Sequence, residues 1–242
     1  MVTTDGHLLG GRVLYRQPAD GFRSGIEPVL LAATVPARTG DHVLEAGTGA
    51  GAGLLCLNYR VPGVQATGVE LHPAMAALAS DNARRNGYPG IEIVTGDIAS
   101  APLPRAFDHA MANPPYHPLA GSASPDAGRS LAKRGSNALI EIWISRMSGL
   151  LRRRGSLTLI VPPWLIPSCL MAMAGSDSPC SSIFPLWPKQ GRPAKLVLLR
   201  GIKEGRGPTR MLPGLVLHQA DGSFTDAAQA ILAGAAPLSL ND

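Results

Sequence analysis

Between residues 43 and 53 the chain reads Val43-Leu44-Glu45-Ala46-Gly47-Thr48-Gly49-Ala50-Gly51-Ala52-Gly53: an apolar run, an acid, then glycine at every second position. Glycine tolerates positive φ and lets a ligand lie against bare backbone. The segment follows a predicted strand (residues 42–45) and opens a predicted helix (50–59), whose first N–H groups have no partner within the helix. In open α/β sheets such a turn lies at the carboxyl edge, where ligands bind. Taken alone it is weak, because any dinucleotide-binding fold can carry one and a plain strand-to-helix turn can look the same.

The surrounding pattern strengthens it. Residues 64–70 read as a second strand ending in an acid, and 74–86 as a helix with Pro73 in its first turn and Gly87 after its last. Residues 91–94 and 107–112 read as third and fourth strands. Strands alternating with helices of this length imply right-handed βαβ units and a parallel sheet. Residues 117–137 are polar, rich in Gly, Ser and Ala, and read as a long loop, of a length that is usually functional in a compact domain. Helical spacing returns at 138–151, with Leu139, Ile142, Trp143, Met147 and Leu150 on one face. A strand at 156–161, a helix at 163–175, strands at 181–186 and 195–200, a short apolar run at 215–218 and a helix at 226–232 complete the chain. No repeat or linker interrupts it, so one domain over 1–242 is expected: an N-terminal cap segment (1–38), a core (39–200) and a C-terminal extension (201–242). Trp143, Trp164 and Trp187 are expected in the core.

Composition narrows the class. Hydrophobic residues make up 45% and charged residues 16% of the 242, which suits a packed core and excludes a disordered chain. The longest apolar run, 157–170, carries Pro162, Pro163 and Pro167, which would break a membrane span. The N-terminus has neither a basic start nor an apolar stretch, so no signal peptide is expected. Three scattered cysteines (Cys56, Cys169, Cys180) fit free thiols in a cytoplasmic protein and argue against a metal site. The net charge of +5 is unevenly placed. Residues 121–154 hold Arg129, Lys133, Arg134, Arg146, Arg152, Arg153 and Arg154 against Asp126 and Glu141. Residues 189–210 hold Lys189, Arg192, Lys195, Arg200, Lys203, Arg206 and Arg210 against Glu204. Clustered cations attract polyanions such as RNA, although a solvated basic surface explains the charge equally well.

Two acids frame the glycines. Glu70 ends the second strand, where a carboxylate accepts the ribose hydroxyls of an adenosine; this fits NAD and S-adenosylmethionine alike. Glu45, just before the glycines, would repel a pyrophosphate but suits the cationic methionine end of S-adenosylmethionine. Asp97, after the third strand, can accept from an adenine amine or simply form a turn.

Asn113-Pro114-Pro115-Tyr116 follows the fourth strand. Two prolines fix their own φ and restrict the residues before them, giving a rigid platform. An aromatic exocyclic amine is a poor nucleophile because its lone pair is delocalised. The Asn113 side-chain oxygen and the Pro114 carbonyl can each accept one of its N–H groups and aim the lone pair, while Tyr116 stacks on the base. A proline-stiffened loop with a capping Asn is the structural alternative.

At these residues the chain resembles the class I methyltransferases with an Asn-Pro-Pro-Tyr motif, and within them the bacterial tRNA(Val) adenine-N6 methyltransferase family. The likeness also takes in Arg16-Gln17, residues 21–32, 68–71, 96–97 and 221–226. It implies a Rossmann-like fold: a mostly parallel seven-stranded sheet with an antiparallel edge strand and helices on both faces. It implies S-adenosyl-L-methionine at Glu45, Gly47, Thr48, Gly49, Gly51, Glu70, Leu71, Asp97, Ile98 and Asn113, with catalysis at Asn113, Pro114, Pro115 and Tyr116. RNA, and tRNA within it, is the implied partner, with Arg23, Ser24, Arg129, Lys133 and Arg134 as candidate contacts. Protein-glutamine and rRNA guanine methyltransferases share the tetrapeptide, so both remain alternatives, beside a catalytically silent RNA-binding module. A nucleotide-dependent oxidoreductase is disfavoured by Glu45.

Overall fold

The structure, a computed structural model, describes residues 1–20, 24–104, 106–115 and 127–240, and of 127–136 the backbone alone. Strands β1 (Thr3–Leu8) and β2 (Val13–Pro18) form an antiparallel hairpin outside the main sheet. The chain then runs α1 (Glu27–Thr34), β3 (His42–Ala46), α2 (Ala52–Arg60), β4 (Gln65–Glu70), α3 (Pro73–Arg85), β5 (Ile91–Thr95), β6 (Phe107–Ala112), α4 (Ala127–Leu150) and β7 (Leu151–Val161). A 3₁₀ turn (Pro163–Leu165) leads into α5 (Ile166–Gly175), followed by β8 (Cys180–Lys189), β9 (Leu196–Ile202), β10 (Arg210–Met211), β11 (Leu215–His218) and α6 (Asp226–Leu232).

The main sheet has nine strands in the order β10-β8-β9-β7-β6-β3-β4-β5, with β11 also paired to β8. Strands β3 to β7 are mutually parallel, so their carboxyl ends leave on one edge. The α/β, mostly parallel architecture expected from the sequence is therefore present, with two differences. The antiparallel strand β9 lies inside the sheet, between β7 and β8, rather than at its edge. Its near-continuous buried run, Val197 to Gly201, is the mark of a strand covered on both faces. The extra strands β10 and β11 pair in succession along the outer side of β8. At two and four residues they are too short for a periodic signal.

Alternate strand residues feed opposite layers. Val43 and Leu198 join α1, α2 and α6 on one face, while Leu44, Val197 and Leu199 join α4 and α5 on the other. Helix α4 corrects a second expectation: it begins at Ala127, not near 138, so the segment read as a loop is half helix. Its first turns lack the apolar stripe that marks a helix in sequence. A third correction concerns the tryptophans. Trp143 and Trp187 are partly buried, but Trp164 is 43% exposed.

The N-terminal hairpin is joined to the core by amides. Asn82, fully buried on α3, accepts from the Arg16 N–H (2.9 Å) and donates to the Arg16 carbonyl (2.8 Å) and the Ala50 carbonyl (2.9 Å). One turn on, Asn86 repeats the exchange with both backbone groups of Leu14 (2.9 and 2.8 Å). The two side chains thus stand in for a neighbouring strand along β2. At the other end of the cap segment, the last carbonyls of α1 are held by guanidinium groups. Arg60 donates to the Ala32 (2.9 Å) and Val35 (2.6 Å) carbonyls and the buried Arg200 to that of Thr34. Truncating Asn82 leaves three backbone groups without partners. Asn82→Ala is expected to cost on the order of 3 kcal/mol, read as a lower urea midpoint at unchanged slope; a shift under about 0.5 kcal/mol would show the hairpin to be held by other means.

Candidate functional site

The glycine turn forms because the chain must reverse over the end of β4. The N–H groups of Gly47 and Thr48 both donate to the Val69 carbonyl (2.8 and 3.1 Å). Gly47, Gly49 and Gly51 have φ of 67°, 57° and 88°, the left-handed region that side chains disfavour. Their surroundings differ. A Cβ on Gly47 would lie 2.7 Å from the Trp143 ring, whereas one on Gly49 would meet, among the described residues, the Met75 methyl alone, at 3.9 Å. The backbone of Gly49 is therefore bare on that side among the described residues, and Trp143 lies against the Gly47 backbone.

Glu45 lies beneath this turn, 4% exposed. Thr48 Oγ1 donates to its Oε2 (2.5 Å), and the Leu54 N–H donates to the same carboxyl group. A Cβ on Gly53 would sit 2.1 Å from Glu45 Oε1, so the last glycine of the run makes room for the carboxyl. Burial pushes the Glu45 carboxyl up to about 8, with the neighbouring Glu70 charge adding to the shift. Tyr15, from the N-terminal hairpin, is buried beside it. Burial raises its hydroxyl to about 12 against the lowering effect of Ser24, whose Oγ lies 2.7 Å away, and the Glu45 charge adds to the rise.

Glu70 closes β4 at 7% exposure. Its Oε2 accepts from the Gly49 N–H (2.9 Å) and its Oε1 from the His72 N–H (2.9 Å). These bonds orient the carboxylate and leave each oxygen a further acceptor direction. Leu71, next along, is 59% exposed, an apolar surface beside the acid. At the end of β5 the two residues divide: Asp97 is exposed and its Oδ1 accepts from the Ala99 N–H (2.9 Å), the turn arrangement, while Ile98 is buried.

Asn113 leaves β6 at the same edge, next to β3 in the sheet. Its Oδ1 is buried and has no hydrogen-bond partner among the described residues. Pro114 is buried and Pro115 exposed. Tyr116 and Arg23 lie outside the described residues. Arg129, Lys133 and Arg134 fall on α4, where the backbone alone is described. Ser24 is tied to the hairpin through Tyr15 and through Gln17, whose Oε1 accepts from its N–H.

The basic clusters are less available than their sequence suggested. Arg200 is 2% exposed, and Arg146 donates to the Ile98 and Ala101 carbonyls. Arg152 pairs with Asp108 (2.6 Å) and Arg153 with Glu204 (3.1 Å). Linear charge counting could not see this, because backbone carbonyls and distant carboxylates absorb the cations. Sequence reasoning also passed over Asn82 and Tyr15, and took Trp143 for a core residue without its place against the Gly47 backbone. Of these, Asn82 inside a helix carried a signal, since asparagine is costly there without a partner.

Among the described residues no group of three or more His, Cys, Asp or Glu could hold a metal, and no helix is long and apolar enough to cross a membrane.

Comparison with known proteins agrees with the geometry. Residues 26–142 match the family model described as methyltransferase small domain. A tRNA1(Val) (adenine(37)-N6)-methyltransferase of Bacteroides thetaiotaomicron is 30% identical over 143 residues, 58% of this chain and 60% of that protein. One from Porphyromonas gingivalis is 34% identical over 167 residues, 66% of this chain and 58% of that protein. The chain thus spans about three fifths of the curated relatives it matches. Among solved structures, that of a predicted O-methyltransferase from Agrobacterium tumefaciens superposes with a TM-score of 0.74 at 23% identity, covering 89% of this chain and 99% of that one. The class I methyltransferase fold, and the resemblance read from the motifs, are borne out.

A carboxyl raised by burial keeps its proton in the folded chain at pH values where the unfolded chain has lost it. Its effect on stability therefore falls away as pH rises from about 4.5 through about 8. Glu45→Gln is expected to remove this slope, so that the variant gains on the parent by about 1 kcal/mol per pH unit in that window. Chemical denaturation of both proteins between pH 5 and pH 8 (roughly the window of that titration) tests it; parallel profiles would mean that Glu45 is ionised throughout.

Proposed function

We propose that this chain, built on the class I methyltransferase fold, is an S-adenosylmethionine-dependent N-methyltransferase whose acceptor is the exocyclic N6 amine of an adenine in tRNA. The observation that carries the reading is the buried Oδ1 of Asn113, without a partner among the described residues, at the carboxyl edge, one strand from the glycine turn. A buried acceptor without a donor costs stability unless a ligand supplies one. An amine N–H is such a donor.

The residues fit the cofactor. Gly49 has a bare backbone among the described residues, Glu70 retains acceptor capacity for ribose hydroxyls, Leu71 offers an exposed apolar surface, and Glu45 offers negative charge once ionised. When bound, the cofactor supplies an electrophilic methyl group on sulfur. The chain's own part is to hold the amine. Asn113 Oδ1 and the Pro114 carbonyl accept its two N–H bonds, which leaves the nitrogen lone pair directed away from both. As the nitrogen gains positive charge on methylation, these acceptors stabilise it, and the extra proton then leaves to solvent. Tyr116 packs on the face of the base. The relatives' activity toward tRNA and the remaining basic residues support an RNA acceptor. The whole chain is taken to act as one domain.

Transfer of labelled methyl from S-adenosylmethionine to unmodified total tRNA, with release factor and rRNA as parallel acceptors, tests the proposal. N6-methyladenosine in tRNA is the expected product. Label in release factor or in rRNA guanine would move the acceptor while leaving the site standing; no label anywhere, with cofactor binding intact, would make the chain a silent binding module. Asn113→Ala is expected to lower the transfer rate roughly 100-fold or more with cofactor affinity within about twofold of the parent. Loss of cofactor affinity in that variant would sink the assigned role.

A further inference from the structure

The carboxyl edge carries a second double-proline turn. Strand β7 ends Val161-Pro162-Pro163-Trp164, beside the strand that ends Asn113-Pro114-Pro115-Tyr116. Strands β6 and β7 are parallel and directly paired, with Ala112 opposite Leu159. Carried forward along both chains, that register sets Pro114 level with Val161 and Pro115 level with Pro162. Two adjacent strands thus each run into a Pro-Pro pair at the same edge of the sheet, and in the sequence an aromatic follows each pair.

The second turn is built to hold its aromatic outward. Pro162 is buried with extended backbone (φ −67°, ψ 150°), and Pro163 opens the 3₁₀ turn. The Leu165 N–H returns to the Pro162 carbonyl (3.0 Å), and Leu165 is fully buried in the layer with Ile140 and Ile144. With Leu165 turned into the core and two prolines before it, the backbone at Trp164 is fixed in place, and Trp164 is 43% exposed there. A backbone already ordered need not be ordered again when a planar group settles on the ring.

We propose that Trp164 is a substrate-positioning residue that stacks on a nucleobase of the acceptor, either the base undergoing methylation or its immediate neighbour. The inference rests on the nucleic-acid reading above. Base–aromatic stacking is tolerant of sequence because every base presents a π-face, so such a contact strengthens binding and places the base without choosing it. The identity of the methylated atom stays with Asn113 and Pro114.

The test compares Trp164→Ala, Trp164→Phe and Trp164→Leu with the parent protein, using methyl transfer to unmodified tRNA and separate measurement of S-adenosylmethionine affinity. Trp164→Ala is expected to raise the KM for tRNA roughly 10- to 100-fold, with cofactor affinity unchanged. Trp164→Phe is expected to restore most of it, and Trp164→Leu, which keeps apolar bulk without a flat ring, to restore little. A KM within twofold of the parent in Trp164→Ala overturns the proposal, as does equal rescue by Phe and Leu or a parallel loss of cofactor affinity. If the parent itself transfers no label to any nucleic acid, the functional reading fails first and this inference falls with it. Transfer by the parent with an indifferent Trp164→Ala overturns this inference alone.

Discussion

Glu45 sits where β3 gives way to α2, and its carboxyl is buried under the glycine turn with bonds from Thr48 Oγ1 and the Leu54 N–H. The placement dictates much around it. Gly53 must lack a side chain because a Cβ would strike Glu45 Oε1, and Thr48 must face inward to reach Oε2. The turn between them is then drawn down over β4, where Val69 accepts two of its N–H groups and Glu70 a third. One buried carboxyl thereby fixes the path of the backbone that borders the ligand space, which explains why the glycine run extends a full turn beyond the reversal itself.

The same turn is braced from outside. Asn82 joins the Ala50 carbonyl, inside the turn, to Arg16 of the N-terminal hairpin, so the hairpin and the turn share a buried side chain. Tyr15 on that hairpin extends to the Glu45 region and engages Ser24, three residues before α1. Arginines hold the far end of α1 by its carbonyls. A buried guanidinium is expensive without partners. Placing Arg60 and Arg200 at a helix C-terminus offsets part of that cost, because the last carbonyls of a helix carry partial negative charge and lack partners of their own. The hairpin and the far end of α1 are in this way each fastened to the core by buried side chains.

Features with a local cause could be read from the sequence. Helix α6 spans Asp226–Leu232, the residues read as helix, and Thr225 caps it by accepting from the Ala228 N–H (3.2 Å). The alternation of strands and helices from residue 42 to residue 112 was legible for the same reason, since each element carries its own period, whereas the hairpin and α1 before it were not read. What failed was non-local. The place of β9 inside the sheet depends on which neighbour its edge meets, and nothing in Leu196–Ile202 encodes that. Arg200 read as surface charge because its partner, the Thr34 carbonyl, is 166 residues away. Trp164 read as core because tryptophan usually is, yet the deciding fact is the burial of its neighbour Leu165. Helix α4 was read too short because Ala127 to Ser136 forms helix without an apolar stripe. At the candidate site the residue types were legible, but the lack of a partner for Asn113 Oδ1 was visible only in three dimensions.

That unpartnered oxygen and the raised Glu45 carboxyl share one logic. Each is a buried acceptor whose described surroundings leave it short of positive charge or of a donor. Desolvation makes the protein hold a proton on Glu45 up to about pH 8, since among the described residues an ionised carboxylate there would be stabilised by Thr48 and one backbone N–H. Under the proposed reading, a ligand with a cationic end at the glycine turn relieves the first shortage and an amine at Asn113 relieves the second. Arrival of the cation lowers the cost of ionising Glu45, so its proton leaves as the ligand binds, and binding tightens as pH rises toward the carboxyl's own titration. A ligand of the same shape without the positive charge releases no such proton and gains nothing from the higher pH.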